Sequence, residues 1–193
     1  MRNVIFLMNM SLDGFVNGPD GEMDWIASDD EVWDDVISVQ NTADTALFGR
    51  VNYAGTEGYW QSGAVQQAAS KAEVEHARWL EGATRIVFST TLSQVAWPNT
   101  RVVSDHIAEV IADLKRQPGK NMILFGGADI AAAFMQHGLI DEYHIYVNPV
   151  ILGGGKPLFT STHDRANLTL LRTKAFQSGV VRLNYAPGSQ SHP

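Results

Sequence analysis

The sequence predicts an α/β fold: a central, mainly parallel mixed sheet flanked by helices and finished by an antiparallel C-terminal hairpin. Three observations carry that prediction. Short continuous apolar runs recur at residues 4–8, 46–48, 86–88 and 122–125. Runs of strand length that are apolar throughout suit strands buried on both faces, which lie in parallel sheets covered by helices. Segments of helical periodicity stand between these runs, giving the order β-α-β-α-(α)-β-α-β-α-β and hence crossover connections. The last third of the chain changes to alternation and a short turn, the pattern of added antiparallel strands.

Taken in order, Val4-Ile5-Phe6-Leu7-Met8 follows a single Arg, is interrupted by Asn9 and leads to no small-residue cleavage site, so it reads as a strand and not a signal segment. Residues 30–40 place Val32, Trp33, Val36 and Ile37 on one stripe, and Asp29, Asp30 and Glu31 supply the negative charge that favours a helix N-terminus. Ala46-Leu47-Phe48 is the second strand. Residues 65–80 are Ala- and Glu-rich, with Gly82 as a stop, and Ile86-Val87-Phe88 follows. Ile107, Val110, Ile111 and Leu114 repeat at helical spacing before Pro118-Gly119. After Met122-Ile123-Leu124-Phe125, residues 128–136 form a further helix stopped by Gly138, with His137 at its C-terminus. Residues 143–148 alternate as a strand ended by Pro149. Residues 168–176 and 180–185 make the hairpin around Gln177-Ser178-Gly179. Residues 1–187 are thus expected to form one domain, and 188–193 a polar tail.

Composition bounds the function. A chain of 193 residues with 45% hydrophobic and 18% charged residues can bury about 70% of the surface its unfolded form exposes. Lys+Arg 14 against Asp+Glu 21 gives a net charge of −7, a field that disfavours nucleic acid and anionic membranes. The absence of cysteine removes disulfides, thiolate nucleophiles and cysteine-ligated metal. No stretch approaches the ~20 apolar residues of a membrane span, so the expected location is cytoplasmic.

Three apolar strands run directly into a glycine, polar or cationic turn: Phe48-Gly49-Arg50, Phe88-Ser89-Thr90-Thr91 and Phe125-Gly126-Gly127-Ala128-Asp129. Ligands of open α/β sheets bind beyond the carboxyl ends of strands, where helix N-termini offer N–H groups to phosphate and glycine lets backbone come close. Each turn taken singly is also ordinary connection geometry; three in one sheet favour a site. GxGxxG is absent after the first strand, where Leu12-Asp13-Gly14 stands. Gly153-Gly154-Gly155-Lys156 is no Walker A loop, since Val150 and Pro157 occupy its first-glycine and Ser/Thr positions; it reads as a tight loop that could line a pocket. Arg50 is either a phosphate fork or a surface arginine. Asp13 has turn chemistry as its plain explanation, and Asp30 has helix capping. The six histidines form no HExxH and no other i, i+4 pair, and no GxSxG elbow is present, so metal and serine hydrolase chemistry are not expected.

Ser11-Leu12-Asp13-Gly14, Leu47-Phe48-Gly49-Arg50-x-x-Tyr53, Val87-Phe88-Ser89, Leu124-Phe125-Gly126-Gly127, Asp141-Glu142 and the run from Pro149 to Phe159 appear in an ordered set. Together they resemble the dihydrofolate reductase-like superfamily. The nearer branch is the stand-alone relatives of the C-terminal reductase domain of the bifunctional riboflavin-biosynthesis deaminase-reductase. The resemblance runs from Val4 to Tyr185. It implies a three-layer dihydrofolate reductase-like fold and an NADPH-dependent reductase acting on a pyrimidine- or pterin-like heterocycle, such as 5-amino-6-(5-phosphoribosylamino)uracil.

By the same resemblance, Met8 and Asn9 face the nicotinamide carboxamide. Gly49, Arg50 and Asn52 meet the pyrophosphate and 2′-phosphate, with Asn52 standing where the family often has Thr. Ser89 and Thr90 lie near the adenosine half, and Gly126, Gly127, Ala128 and Asp129 pack on the diphosphate across a cis Gly-Gly peptide. Trp25, Tyr53, Leu152 and Gly153 are the implied substrate contacts. Asp30 or Asp13 is the implied proton donor, with water as an alternative and Asp29 as the position one residue away. The family also suggests a homodimer. With the first strand beginning near residue 3 and no cysteine for a zinc deaminase, any deaminase activity is expected on another chain. Dihydrofolate reductase-type activity on a pterin and a non-catalytic NADPH-binding module are the competing readings.

Overall fold

The computed structural model describes residues 1–27, 29–61, 70–159 and 165–188, with the side chains of 60 and 61 left aside. The strands are β1 (Val4–Ser11), β2 (Phe15–Asn17), β3 (Ala43–Gly49), β4 (Thr84–Phe88), β5 (Thr100–Val103), β6 (Asn121–Phe125), β7 (Glu142–Asn148), β8 (Lys156–Pro157), β9 (Leu168–Ala175) and β10 (Val181–Pro187). The helices are α1 (Asp30–Gln40), α2 (Arg50–Gln61), α3 (Lys71–Gly82), α4 (Ile107–Arg116) and α5 (Ala128–Gln136). Eight strands form one sheet in the order β5-β4-β3-β6-β1-β7-β10-β9. The first six are mutually parallel, and β10 and β9 add antiparallel to β7.

The continuous apolar runs have a direct cause. In β1, Val4 and Phe6 point into the core beneath α4 and α5, while Ile5 and Leu7 point into the core beneath α1. Successive side chains alternate across a strand, so a sheet covered on both faces needs apolar residues at every position. Ile111, Ala131 and Phe134 close the first face. On the other face, Val32 and Val39 of α1 close one cluster and Tyr53, Leu80 and Trp97 another, against Ala46, Phe48 and Val87. Full burial of a side chain such as Phe6 is worth about 1.5–3 kcal/mol.

Several sequence expectations are refined. Helix α3 begins at Lys71, because the Ser70 hydroxyl accepts from the Glu73 amide and the Glu73 carboxylate accepts from the Ser70 amide, a complete capping box; the expected helical residues 65–69 lie outside the described residues. Gly82 is the last helical residue and Ala83 the cap. Helix α1 is capped by Asp29, whose carboxylate accepts from the Val32 amide at 2.7 Å, and not by Asp30. Strand β5 lies outside the expected set: at the sheet edge beside β4 it needs no apolar run, and Arg101 is exposed. The small β2–β8 ribbon also escapes pattern reading. It accounts for the triple glycine, since a Cβ on Gly155 would come within 2.0 Å of the Asn17 carbonyl oxygen. No peptide bond among the described residues is cis; Gly126 and Gly127 make their turn with φ of +36° and +93°. The cis Gly-Gly peptide is therefore corrected to a trans turn through two left-handed glycines. The tail beyond Gly188 lies outside the described residues.

Candidate active site

Parallel strands end on one side of the sheet, and there the turns after β3, β4 and β6 converge. Gly49, Arg50, Ser89, Thr90, Gly127 and Asp129 line one cavity of about 450 Å³ with Asn52, Thr91 and Ser104. A second cavity of about 190 Å³ adjoins it, lined by Met8, Asn9, Asn52 and Gly126 together with Met23, Ile26, Phe48, Thr56 and His76. Asn52 is common to both walls, and the Gly126-Gly127 turn contributes one residue to each.

The opening at Met8 and Asn9 follows from register. The ladder between β1 and β6 ends at Leu7↔Phe125, whereas β1 goes on pairing with β7 as far as Ser11↔Asn148. Beyond Leu7 the chain after β6 turns away, and the β6 side of Met8 and Asn9 faces the smaller cavity. Asn148 Nδ2 donates to Asn9 Oδ1, and Asn148 Oδ1 accepts from the Ala27 amide, tying the segment that carries Met23 and Ile26 to this strand end.

The turn glycines are demanded by contacts. A Cβ on Gly126 would lie 2.6 Å from Met8 Cε and 3.2 Å from Asn52 Nδ2, and one on Gly49 would lie 3.1 Å from Ile130 Cγ2. Bare backbone therefore borders both cavities where they meet. Helix α5 starts at Ala128 with Gly127 as its cap and no side-chain hydrogen bond to its first amides. Helix α2 starts at Arg50, at the wall of the larger cavity. These features fit a dinucleotide phosphate bridge: uncapped amides, a glycine cradle and one exposed guanidinium.

Other expected residues have different places. Ala128 is buried beneath the turn. Asp129 lines the larger cavity but pairs with Lys156 at 2.7 Å. Ser89 Oγ accepts from the Thr91 and Leu92 amides, so its side chain shapes its own turn. Tyr53 is 1% exposed, packed on Phe48 and donating to Glu57, a core position that lines neither cavity. Trp25 spends its indole N–H on the Glu22 carbonyl; its neighbours Met23 and Ile26 line the cavity instead.

Asp13 lines neither cavity. It accepts from Ser11 Oγ and from the Leu152 and Gly153 amides, so Asp13, Leu152 and Gly153 form one structural clasp. Desolvation would raise its pKa, but these hydrogen bonds together hold it below the ordinary carboxylate value. Asp30 is exposed on α1 and lines neither cavity. The two expected proton donors are thus not brought to the smaller cavity.

Sequence reading missed His76. It lies on the apolar stripe of α3 between Ala72 and Leu80, which was the available signal. Gln40 hydrogen-bonds its Nδ1, and Trp33 and Phe125 lie against its ring at 5.5 and 6.0 Å between centroids. Burial, opposed in part by Glu73, lowers its pKa to about 4, so it is neutral at physiological pH.

This sheet order, the antiparallel C-terminal pair and the cleft at the strand ends define a dihydrofolate reductase-like α/β domain. The chain belongs to the RibD C-terminal domain family, whose profile matches residues 2–182. It is 34% identical over 185 residues, 95% of this chain and 94% of the relative, to YyaP of Bacillus subtilis (strain 168), an uncharacterized protein. A Shewanella sp. PV-4 protein named for riboflavin biosynthesis shares the fold with a TM-score of 0.76 and 21% identity, over 97% of this chain and 99% of that one. So does the Thermotoga maritima diaminohydroxyphosphoribosylaminopyrimidine deaminase/5-amino-6-(5-phosphoribosylamino)uracil reductase, with a TM-score of 0.66 and 17% identity, over 97% of this chain and 57% of that longer one.

Proposed function

We propose that the protein is an NADPH-dependent reductase that transfers a hydride to a polarised C=N or C=O bond of a pyrimidine- or pterin-like heterocycle. The observation that carries this reading is the convergence of Gly49, Ser89 and Gly127 on one cavity that shares Asn52 with a second, smaller one. The larger cavity would hold the adenosine half, with Arg50 on the 2′-phosphate and the amides at the starts of α2 and α5 on the pyrophosphate. Backbone groups of Met8 and Asn9 would hold the nicotinamide end. When bound, the cofactor supplies the hydride.

The residues of this chain position the acceptor against the apolar wall and leave proton delivery to a water molecule at the cavity mouth, since neither Asp13 nor Asp30 lines the cavity. That same fact disfavours a dihydrofolate reductase-type acid at Asp30. It also favours a second reading, a module that binds NADPH without turnover. Following nicotinamide absorbance with pyrimidine, pterin and quinone acceptors separates the two: oxidation of NADPH supports the reductase, binding without oxidation supports the module, and failure to bind NADPH sinks both.

We also propose a homodimer through β9, an edge strand on which Leu168, Leu170 and Leu171 are exposed. An apolar edge of this kind gains from being covered. Light scattering should show twice the chain mass, and Leu170→Glu should restore the monomer; a wild-type monomer refutes the assignment.

A further inference from the structure

The walls of the smaller cavity narrow the choice of acceptor. Among the described residues they are apolar apart from Asn9, Asn52, Thr56 and His76. Among the described residues no Lys or Arg reaches that wall. Arg50 stands on the other cavity, and Lys156 is paired with Asp129. The stretches 62–69 and 160–164 contain no Lys or Arg in their sequence. The segment that brings Met23 and Ile26 to the cavity carries Asp20, Glu22 and Asp24, all exposed.

A phosphate group needs cationic or free backbone N–H donors. The amides at the starts of α2 and α5 and Arg50 are taken by the cofactor in the reading above, and an anion without such donors on an apolar wall loses hydration that nothing replaces. Nearby carboxylates add repulsion. His76 does not compensate, because burial keeps it neutral. The cavity of about 190 Å³ also receives the nicotinamide end in that reading, which leaves the acceptor far less room than the roughly 300–1,000 Å³ of sites that enclose larger ligands.

We infer that the acceptor is a small, planar, uncharged heterocycle carrying no phosphate. This rests on the reductase reading above and goes beyond it. The substrate in the name of the Thermotoga neighbour carries a phosphoribosyl group; the cavity of this chain is built for the ring without that group.

The test uses the full-length protein saturated with NADP⁺. An aminopyrimidine free base, its ribonucleoside and the nucleoside 5′-phosphate are titrated separately by calorimetry. The free base is expected to bind, and the 5′-phosphate to bind at least about tenfold more weakly than the nucleoside, a difference of about 1.4 kcal/mol. Met23→Lys, at an exposed side chain, places a cation beside the wall and should narrow that gap. Equal or tighter binding of the phosphate form overturns the inference, as does failure of the free base to bind. Failure to bind NADP⁺ or NADPH in the first place defeats the reductase reading instead.

Discussion

The side-chain amide of Asn52 donates to the carbonyl oxygen of Phe125 at 2.7 Å, joining the first turn of α2 to the last residue of β6. Asn52 Oδ1 in turn accepts from Thr56. The bond fixes the helix start after β3 against the glycine turn after β6, so the wall common to both cavities keeps one geometry. Asn52→Ala leaves the Phe125 carbonyl without this donor. A loss of about 1–2 kcal/mol is expected in urea unfolding, together with weaker NADPH binding in a fluorescence titration. Unchanged values for both would show that the link positions nothing.

Gly126→Ala should damage the proposed cofactor site more than the fold. The new methyl group would meet Met8 Cε at 2.6 Å, and the methionine end can swing aside, into the cavity. The left-handed backbone at φ +36° costs a non-glycine residue about 1–2 kcal/mol. Gly58→Ala is the control: its Cβ meets nothing within 4 Å and the residue is in α2, so a gain of about 0.4–1 kcal/mol is expected. NADPH titration of the two variants should show a marked loss only for Gly126→Ala.

His76 makes stability depend on pH. Its folded pKa of about 4 lies below the ordinary value of 6.5. Between those values the unfolded chain binds more protons than the folded one, so stability is complete above pH 6.5 and falls as pH drops toward 4. The loss is on the order of 3 kcal/mol. Urea midpoints measured between neutral and mildly acidic pH should fall for the wild type and fall less for His76→Gln. Parallel curves would refute His76 as the source.

Arg50 is exposed at the wall of the larger cavity. If it grips the 2′-phosphate, Arg50→Ala should cost NADPH about 1.5–3 kcal/mol of binding, the worth of a charged hydrogen bond, and leave NADH nearly untouched. Equal losses for the two cofactors would contradict that contact.

Legibility in the sequence followed the physics of each element. Strands covered on both faces had to be apolar throughout, so Val4–Ser11 and Asn121–Phe125 were readable from their apolar cores. Edge and ribbon elements carry no such demand, so Thr100–Val103 and the Phe15–Asn17 pairing left no pattern. At the site, the glycine turns announced themselves because the backbone there excludes a side chain. Asp13 and Tyr53 are ordinary loop and helix residues by type. Only tertiary contacts show that one clasps the 152–153 loop and the other fills the core. His76 was hidden for the converse reason, a polar group on a stripe that reads as core.

Crystals grown with NADPH would show whether the two adjoining cavities hold a single cofactor. One dinucleotide is expected to cross the turn at Gly126 and Gly127, with its adenosine end against Gly49 and Ser89 and its nicotinamide end beside Met8 and Asn9. Both cavities remaining empty at saturating NADPH, or the cofactor lying on another face of the sheet, would contradict it.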